Sequence, residues 1–377
     1  MTPANPVPTA TPAPRHHELR ALTSMRGIAA WCVVLFHIRL SLDWLPAPLA
    51  ALFAKGYLAV DFFFLLSGFV IWLSWSVRLR RGGVRAVPGF LWRRLARIWP
   101  LHLVMLGATV ALACALAATG RHDAGHYPFL ELPLQVLLVQ NWGFTTRLTW
   151  NDPSWSISTE WAAYLLFPLV AFWFDWRRLP SWAILLVCAA LFVLLHALMG
   201  GSASLGNDIW IFGLRRCLIE FAVGGAIATV WERWRDAPAL PSVGAAAVMI
   251  GLLVATRSGV PETLAVPAAF AAGLLLLALT AGRRGNPLEG PALHYFGEIS
   301  YATYLCHFLL FVVCKLALID DASAVPPILA ALYLALVFGC SVALTHLVER
   351  PAQDWMNRLP ARMRRAGTRD QASASSS

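Results

Sequence analysis

The stretch LTSMRGIAAWCVVLFHIRL, residues 22–40, decides how this chain is read. At roughly 1.5 Å per helical residue it is long enough to cross a bilayer core of about 30 Å, and it is apolar for most of its length. Arg26 near the start and His37 near the end interrupt its apolar run, and Arg39 stands at its exit. Eleven helical steps of about 100° return to within about 20° of the starting direction and rise roughly 16 Å. Arg26 and His37 therefore share one face of a helix. A guanidinium at the membrane surface and an imidazole deeper inside suggest an anion handle below a proton-handling group.

The rest of the chain repeats the apolar theme. Its 377 residues are 58% hydrophobic and only 13% charged, with a mean hydropathy of +0.62. Such values lie far from the soluble average and identify a polytopic membrane protein. The net charge of +10 does not signal nucleic acid. The arginines fall in short clusters between apolar runs, where cytoplasmic loops meet anionic lipid headgroups. The seven cysteines lie in or beside apolar runs and lack the paired spacing of a disulfide framework or zinc site, so no metal is expected. The first 17 residues, MTPANPVPTATPAPRHH, read as a disordered tail without a signal-peptide cleavage site.

An all-α bundle of about ten spans is expected, at 22–41, 56–76, 95–118, 155–174, 182–199, 209–231, 243–256, 262–281, 299–317 and 326–348. Every even-numbered exit is basic: Arg78, Arg80, Arg81 and Arg85 follow the second span, Arg177 and Arg178 the fourth, Arg233 and Arg235 the sixth, Arg283 and Arg284 the eighth. That pattern places both termini in the cytoplasm. The segment 129–142 is too short to span comfortably and reads as an outer-surface or re-entrant helix. The membrane domain covers 18–356, and 357–377 form a basic, then low-complexity tail.

Ionisable groups inside spans are costly, so each is a site hypothesis. Asp61 opens the second span at a depth comparable with His37. It reads either as the acceptor that fixes the tautomer of His37 or as a helix-start acid. Arg93, Arg94 and Arg97 enter the third span from the cytoplasm, and guanidinium forks suit phosphates. Glu160 lies one turn into the fourth span, between Trp155 and Trp161. It could bind a sugar hydroxyl or assist the base while an indole packs on the sugar ring. Arg216 and Glu220, at i and i+4, read as a structural ion pair. Tyr304 and His307 sit on neighbouring turns of the ninth span, His307 being either a second site histidine or a polar clamp.

The motif R-x10-H, GYLAVDFFFLLSGF (56–69), RRLARIWP (93–100), WSISTEWAAYLLFP (155–168), ISYATYLCHF (299–308) and VERP (348–351), in this order, resemble acyltransferase family 3 membrane proteins over about residues 18–355. That resemblance implies transfer of an acyl group, most often acetyl, from cytoplasmic acyl-CoA to a hydroxyl of a carbohydrate or related acceptor on the other side. By position, Arg26 and His37 match the family's R-x10-H motif, Arg94 and Arg97 its R-x-x-R motif, and Glu160 the acid of its W-S-x-S-x-E motif. The expectation that follows makes His37, Asp61 and Glu160 catalytic. Arg26, Arg93, Arg94 and Arg97 then hold acetyl-CoA or another acyl-CoA, and Trp155, Tyr304 and His307 meet the acceptor. The resemblance and composition suggest a bacterial inner membrane. Some members carry a fused esterase-like domain; none is expected here after the tenth span, so separate polysaccharide-assembly proteins would supply such a step. The alternative reading is a proton-linked secondary transporter of a small polar or sugar-like substrate, which the lack of repeated halves disfavours.

Overall fold

A computed structural model describes residues 19–121, 123–318 and 324–359. The expected 1–17 tail lies outside the described residues. So does the chain from 360 onward, whereas 357–359 continue a helix. The described residues contain no strand. Thirteen α-helices follow in order: α1 Arg20–Ile38, α2 Ala47–Phe53, α3 Ala59–Gly82, α4 Val87–Ala118, α5 Leu132–Val136, α6 Ser154–Trp173, α7 Ser181–Leu198, α8 Ile209–Trp234, α9 Ala239–Arg257, α10 Glu262–Thr280, α11 Pro291–Glu298, α12 Ser300–Leu318 and α13 Pro327–Leu344. Ten of these described helices are 18 residues or longer. Each coincides with one of the ten expected spans, so the protein is an all-α polytopic bundle.

Eight described stretches are apolar and long enough to cross a membrane, and one of them, Ala47–Ala118, contains both α3 and α4. The long helix outside them is α8, whose first half carries Arg215, Arg216 and Glu220. Burial explains how α8 tolerates these charges. Arg216 and Glu220 are 1% and 0% exposed, turned into protein rather than lipid. At the other extreme α9 buries only Ser242 and Ala245 and presents Leu240, Val243, Ile250 and Val254 outward, as a lipid-facing helix should.

The bundle is centred on the crossing of α3 and α8. A Cβ on Gly68 would stand 1.9 Å from the carbonyl oxygen of Phe221, and one on Gly224 equally 1.9 Å from that of Leu65. Only glycine at both positions lets the backbones meet. Around the crossing, Phe64, Phe69 and Trp72 are buried. Helix α1 packs against α11 by the same device: a Cβ on Gly297 would lie 1.8 Å from the Thr23 carbonyl oxygen.

Two boundaries differ from expectation for identifiable reasons. Helix α4 starts at Val87 rather than 95, with a proline in its first turn, where the missing N–H costs nothing. The arginines at 93, 94 and 97 therefore lie on the helix itself. The segment 129–142 is not one helix: a 3-10 turn at Phe129–Glu131 leads into the five-residue α5, and Leu138 then takes a left-handed φ of 58° that ends it. His102 on α4 donates from Nε2 to the Gln135 carbonyl at 2.9 Å and pins this short helix to the bundle. After α13 the chain makes a π turn, Thr345–Glu349, before helix resumes through residue 359.

Candidate active site

Between α1, α3, α4, α6 and α12 lies a cavity of about 190 Å³, whose wall includes Arg26, Arg94, Arg97, Glu160, Tyr164 and Tyr304. The antiparallel run of these helices orders the lining. Arg26, Arg94, Arg97 and Ser300 stand toward the end where α4 and α12 begin, and Ser156 and Tyr304 toward the end where α6 begins.

The three arginines are not equivalent. Arg97 is bridged to Glu349, itself only 2% exposed, and lies 5.4 Å over the ring of Tyr301. The π turn brings Glu349 to that position. Arg26 donates from Nη2 to the Ser300 hydroxyl at 3.2 Å, and that hydroxyl passes its own proton to the Gly297 carbonyl at 2.7 Å. Arg94 has no ion pair among the described residues, and its Nε has no hydrogen-bond partner there. The cavity is therefore faced by two guanidiniums, Arg26 and Arg94, not neutralised by a touching carboxylate. Arg93 points elsewhere: it is exposed and stacks 5.8 Å over Trp75.

Midway along the wall, Tyr164 donates to Glu160 Oε1 at 2.5 Å and lies 3.1 Å from the Ser67 hydroxyl. One helical turn on α6 thus fixes the carboxylate from its own helix. At the far end Ser156 and Tyr304 meet hydroxyl to hydroxyl at 2.7 Å, and Tyr304 also donates to the Pro153 carbonyl at 3.0 Å.

One turn beyond Tyr304, α12 presents His307 to α1. Its Nε2 lies 3.2 Å from Nδ1 of His37, with ring centroids 4.9 Å apart. Tautomers follow from the acceptors. Carbonyl oxygens only accept, and Nδ1 of His37 faces the Val33 carbonyl at 2.9 Å while Nδ1 of His307 faces that of Thr303 at 3.2 Å. Each neutral ring therefore carries its proton on Nδ1. His307 Nε2 offers a lone pair to the His37 N–H, and His37 keeps an unprotonated Nε2, the form a general base needs. Tyr333 anchors this turn by donating to the His307 carbonyl at 3.0 Å.

Two expected partnerships are corrected. Asp61 is not the partner of His37. It is fully buried and accepts from Arg216 Nε at 3.0 Å and Nη2 at 2.7 Å, while Arg216 Nη1 donates to the Leu205 carbonyl at 2.7 Å. The expected Arg216–Glu220 pair is replaced by the same bond, because the α3–α8 crossing brings Asp61 to the guanidinium; both Glu220 oxygens are without hydrogen bonds among the described residues. Nor does Glu160 hydrogen-bond His37 there. Trp155 is 7% exposed, edge-on to Phe64 and under the Arg216 guanidinium, so its faces pack in the bundle rather than standing open for a sugar ring.

Tyr164, Ser67, Glu349 and Tyr301 were not singled out from sequence. For Glu349 a signal existed: an acid closing the tenth span on the side where Arg97 opens the third. Outside the spans, burial raises the Asp152 carboxyl above the ordinary carboxylate range, opposed by His126, whose Nε2 lies 3.8 Å away.

Residues 19–346 match a family described as an acyltransferase domain, which makes this helical bundle an integral-membrane acyltransferase. The chain belongs to acyltransferase family 3. It is 31% identical over 328 residues to the acyltransferase MdmB of Streptomyces mycarofaciens, covering 79% of this chain and 80% of that protein. The exopolysaccharide production protein ExoZ of Rhizobium meliloti is 28% identical over 310 residues, covering 79% and 90%. A putative membrane-bound transacylase, BcsY of Komagataeibacter xylinus, is 28% identical over 363 residues, covering 92% and 86%. No solved structure matches the chain significantly.

Proposed function

We propose that this acyltransferase takes an acyl group, acetyl foremost, from acyl-CoA on the arginine side and delivers it to a hydroxyl of a carbohydrate or glycosylated acceptor on the opposite side of a bacterial inner membrane, with both termini cytoplasmic. One observation carries the reading. A cavity is walled by two guanidiniums that touch no carboxylate among the described residues and by Tyr304, which packs beside His307, the partner of His37.

Size decides how the donor sits. Pockets for drug-sized ligands run to about 300–1,000 Å³. A cavity of about 190 Å³ suits the slender pantetheine arm, leaving the nucleotide at the mouth. Arg26 and Arg94 suit its phosphates as charge-assisted donors. Arg97, held by Glu349, shapes the mouth instead. Glu160, with one oxygen taken by Tyr164, suits an amide N–H of the arm. His37 Nε2 removes the proton of the acceptor hydroxyl as that oxygen attacks the thioester carbonyl. The C–O bond forms, the C–S bond breaks, and the imidazolium returns the proton to the departing thiolate. Such general-base help is worth about 10²–10⁴ in rate. His307 holds the His37 tautomer and spreads the imidazolium charge. The exopolysaccharide role in the name of ExoZ supports a carbohydrate acceptor.

The test is transfer of labelled acetyl from acetyl-CoA to a panel of glycans by the lipid-reconstituted protein. Label moved by wild type and not by folded His37→Ala supports the reading. Label retained on His37 as an isolable adduct replaces direct attack with a two-step route. Absence of acetyl-CoA binding overturns the donor assignment.

A further inference from the structure

At the end of the bundle remote from the arginines, the 135–152 segment and the first turn of α6 enclose a second, smaller slot of about 10 Å³, lined among others by Gln135, Gln140, Asn141, Arg147, Asp152 and Trp155. That is room for a single oxygen atom. Gln135, Gln140 and Asn141 are 1%, 5% and 2% exposed. Yet the side-chain oxygens Gln135 Oε1, Gln140 Oε1, Asn141 Oδ1 and Asp152 Oδ1 accept no hydrogen bond among the described residues.

Turning the amides over cannot satisfy them. The amide nitrogen of Gln140 donates to the Ser154 carbonyl at 3.3 Å and that of Asn141 to the Ile209 carbonyl at 3.3 Å, and a carbonyl has nothing to donate in return. Gln135 donates to the Thr149 hydroxyl at 3.2 Å, whose own proton goes to Glu131 at 2.9 Å. Each amide nitrogen here donates to the fold at least once, and the amide oxygens of these slot-lining residues are left without a donor among the described residues. Buried acceptors without donors are costly, so the cluster calls for O–H groups from outside the protein. A cation is disfavoured by the Arg147 guanidinium on the same wall. The location is apt: Ser154 and Trp155 line the slot, while the next residue, Ser156, lines the arginine cavity and meets Tyr304, beside His307.

We propose that this slot is an acceptor subsite that captures one hydroxyl of a polyhydroxylated substrate, a sugar, which gives its single proton to the Gln140 oxygen in the slot it shares with Gln135 and Asn141, leaving a different hydroxyl of the same ring for acylation. This rests on the carbohydrate-acceptor reading above and deepens it. The rule for acceptor choice then becomes positional: the ring must carry two hydroxyls, one to be pinned and one to react.

The test uses the full chain in lipid nanodiscs and a set of methyl glycosides, each with its singly deoxygenated analogues, titrated by tryptophan fluorescence without acyl donor. Wild type is expected to lose about tenfold or more in affinity for one deoxy analogue, and Gln140→Leu to bind that analogue and its parent alike. Gln140→Met, which keeps the length of the side chain without the oxygen, should lose the discrimination in the same way and stands in should the leucine variant misfold. Arg147→Ala, at an exposed position, provides a folded control for cation binding: calcium affinity gained on losing the guanidinium would overturn the hydroxyl assignment. Wild type binding no glycoside, or equal discrimination in wild type and Gln140→Leu, also overturns it. Discrimination seen in protein that does not bind acetyl-CoA keeps the subsite and removes the donor reading.

Discussion

Asp61–Arg216 and the Arg26–Arg94–Glu160 group are both sets of charges inside a membrane bundle, and they are built to opposite ends. Asp61 and Arg216 are 0% and 1% exposed, face each other through two hydrogen bonds and line no described cavity. Arg26 and Arg94 line a cavity and touch no carboxylate among the described residues, while Glu160 is held by a neutral phenol at 2.5 Å. In the first set Arg216 grips one carboxylate oxygen of Asp61 twice, and the product is a fixed α3–α8 crossing. In the second they are left unsatisfied toward a space that a ligand can enter. An ionisable residue in a span is thus a weak guide to function until its partner is known, and the partner is what separates the two sets.

Substitutions should split along that line, catalysis and KM on one side and stability on the other. The largest effect is expected for His37→Ala, a fall in acyl transfer of about 10²–10⁴ with unchanged thermal unfolding, measured on reconstituted protein. A fall in unfolding temperature would move His37 to the structural side. Next comes Asp61→Leu, which strands the Arg216 charge and should cost about 3–5 kcal/mol of stability. Adding Arg216→Leu and Glu220→Leu should recover much of it, because apolar side chains can replace a buried charge cluster. Failure to recover would mean that the pair does more than hold the crossing. Arg94→Ala should raise the KM for acyl-CoA by about 10- to 100-fold, from the roughly 1.5–3 kcal/mol of a hydrogen bond to a charged group, with stability intact. The smallest change in donor KM is expected for Arg97→Ala, within about threefold on the scale of a partly exposed ion pair, because its charge is already met by Glu349. An Arg97 effect larger than that of Arg94 would reverse their assigned roles.

Much of this architecture could be read from one dimension. The ten long helices follow from runs of apolar residues and the basic exits between them, and the Arg26–His37 facing follows from helical geometry alone. What sequence could not supply was which helix stands beside which. Asp61 and His37 share a depth, so a bond between them was reasonable, but Arg216 on α8 lies where the Gly68–Gly224 contact puts it. The same ignorance of neighbours hid Tyr164, whose phenol reads as core until α6 turns it toward Glu160. It also hid the His37–His307 contact, between residues 270 positions apart.

The π turn at Thr345–Glu349 amounts to one residue more than an α-helix would use. Deleting a single residue there would restore ordinary winding and rotate the chain that follows by about 100°. Glu349 would swing away from Arg97, releasing a third guanidinium into the cavity, while His37 and His307 stayed untouched. The charge facing the cavity is therefore set partly by a count: one backbone insertion, about forty residues past the His307 turn, decides how many guanidiniums there lack a carboxylate.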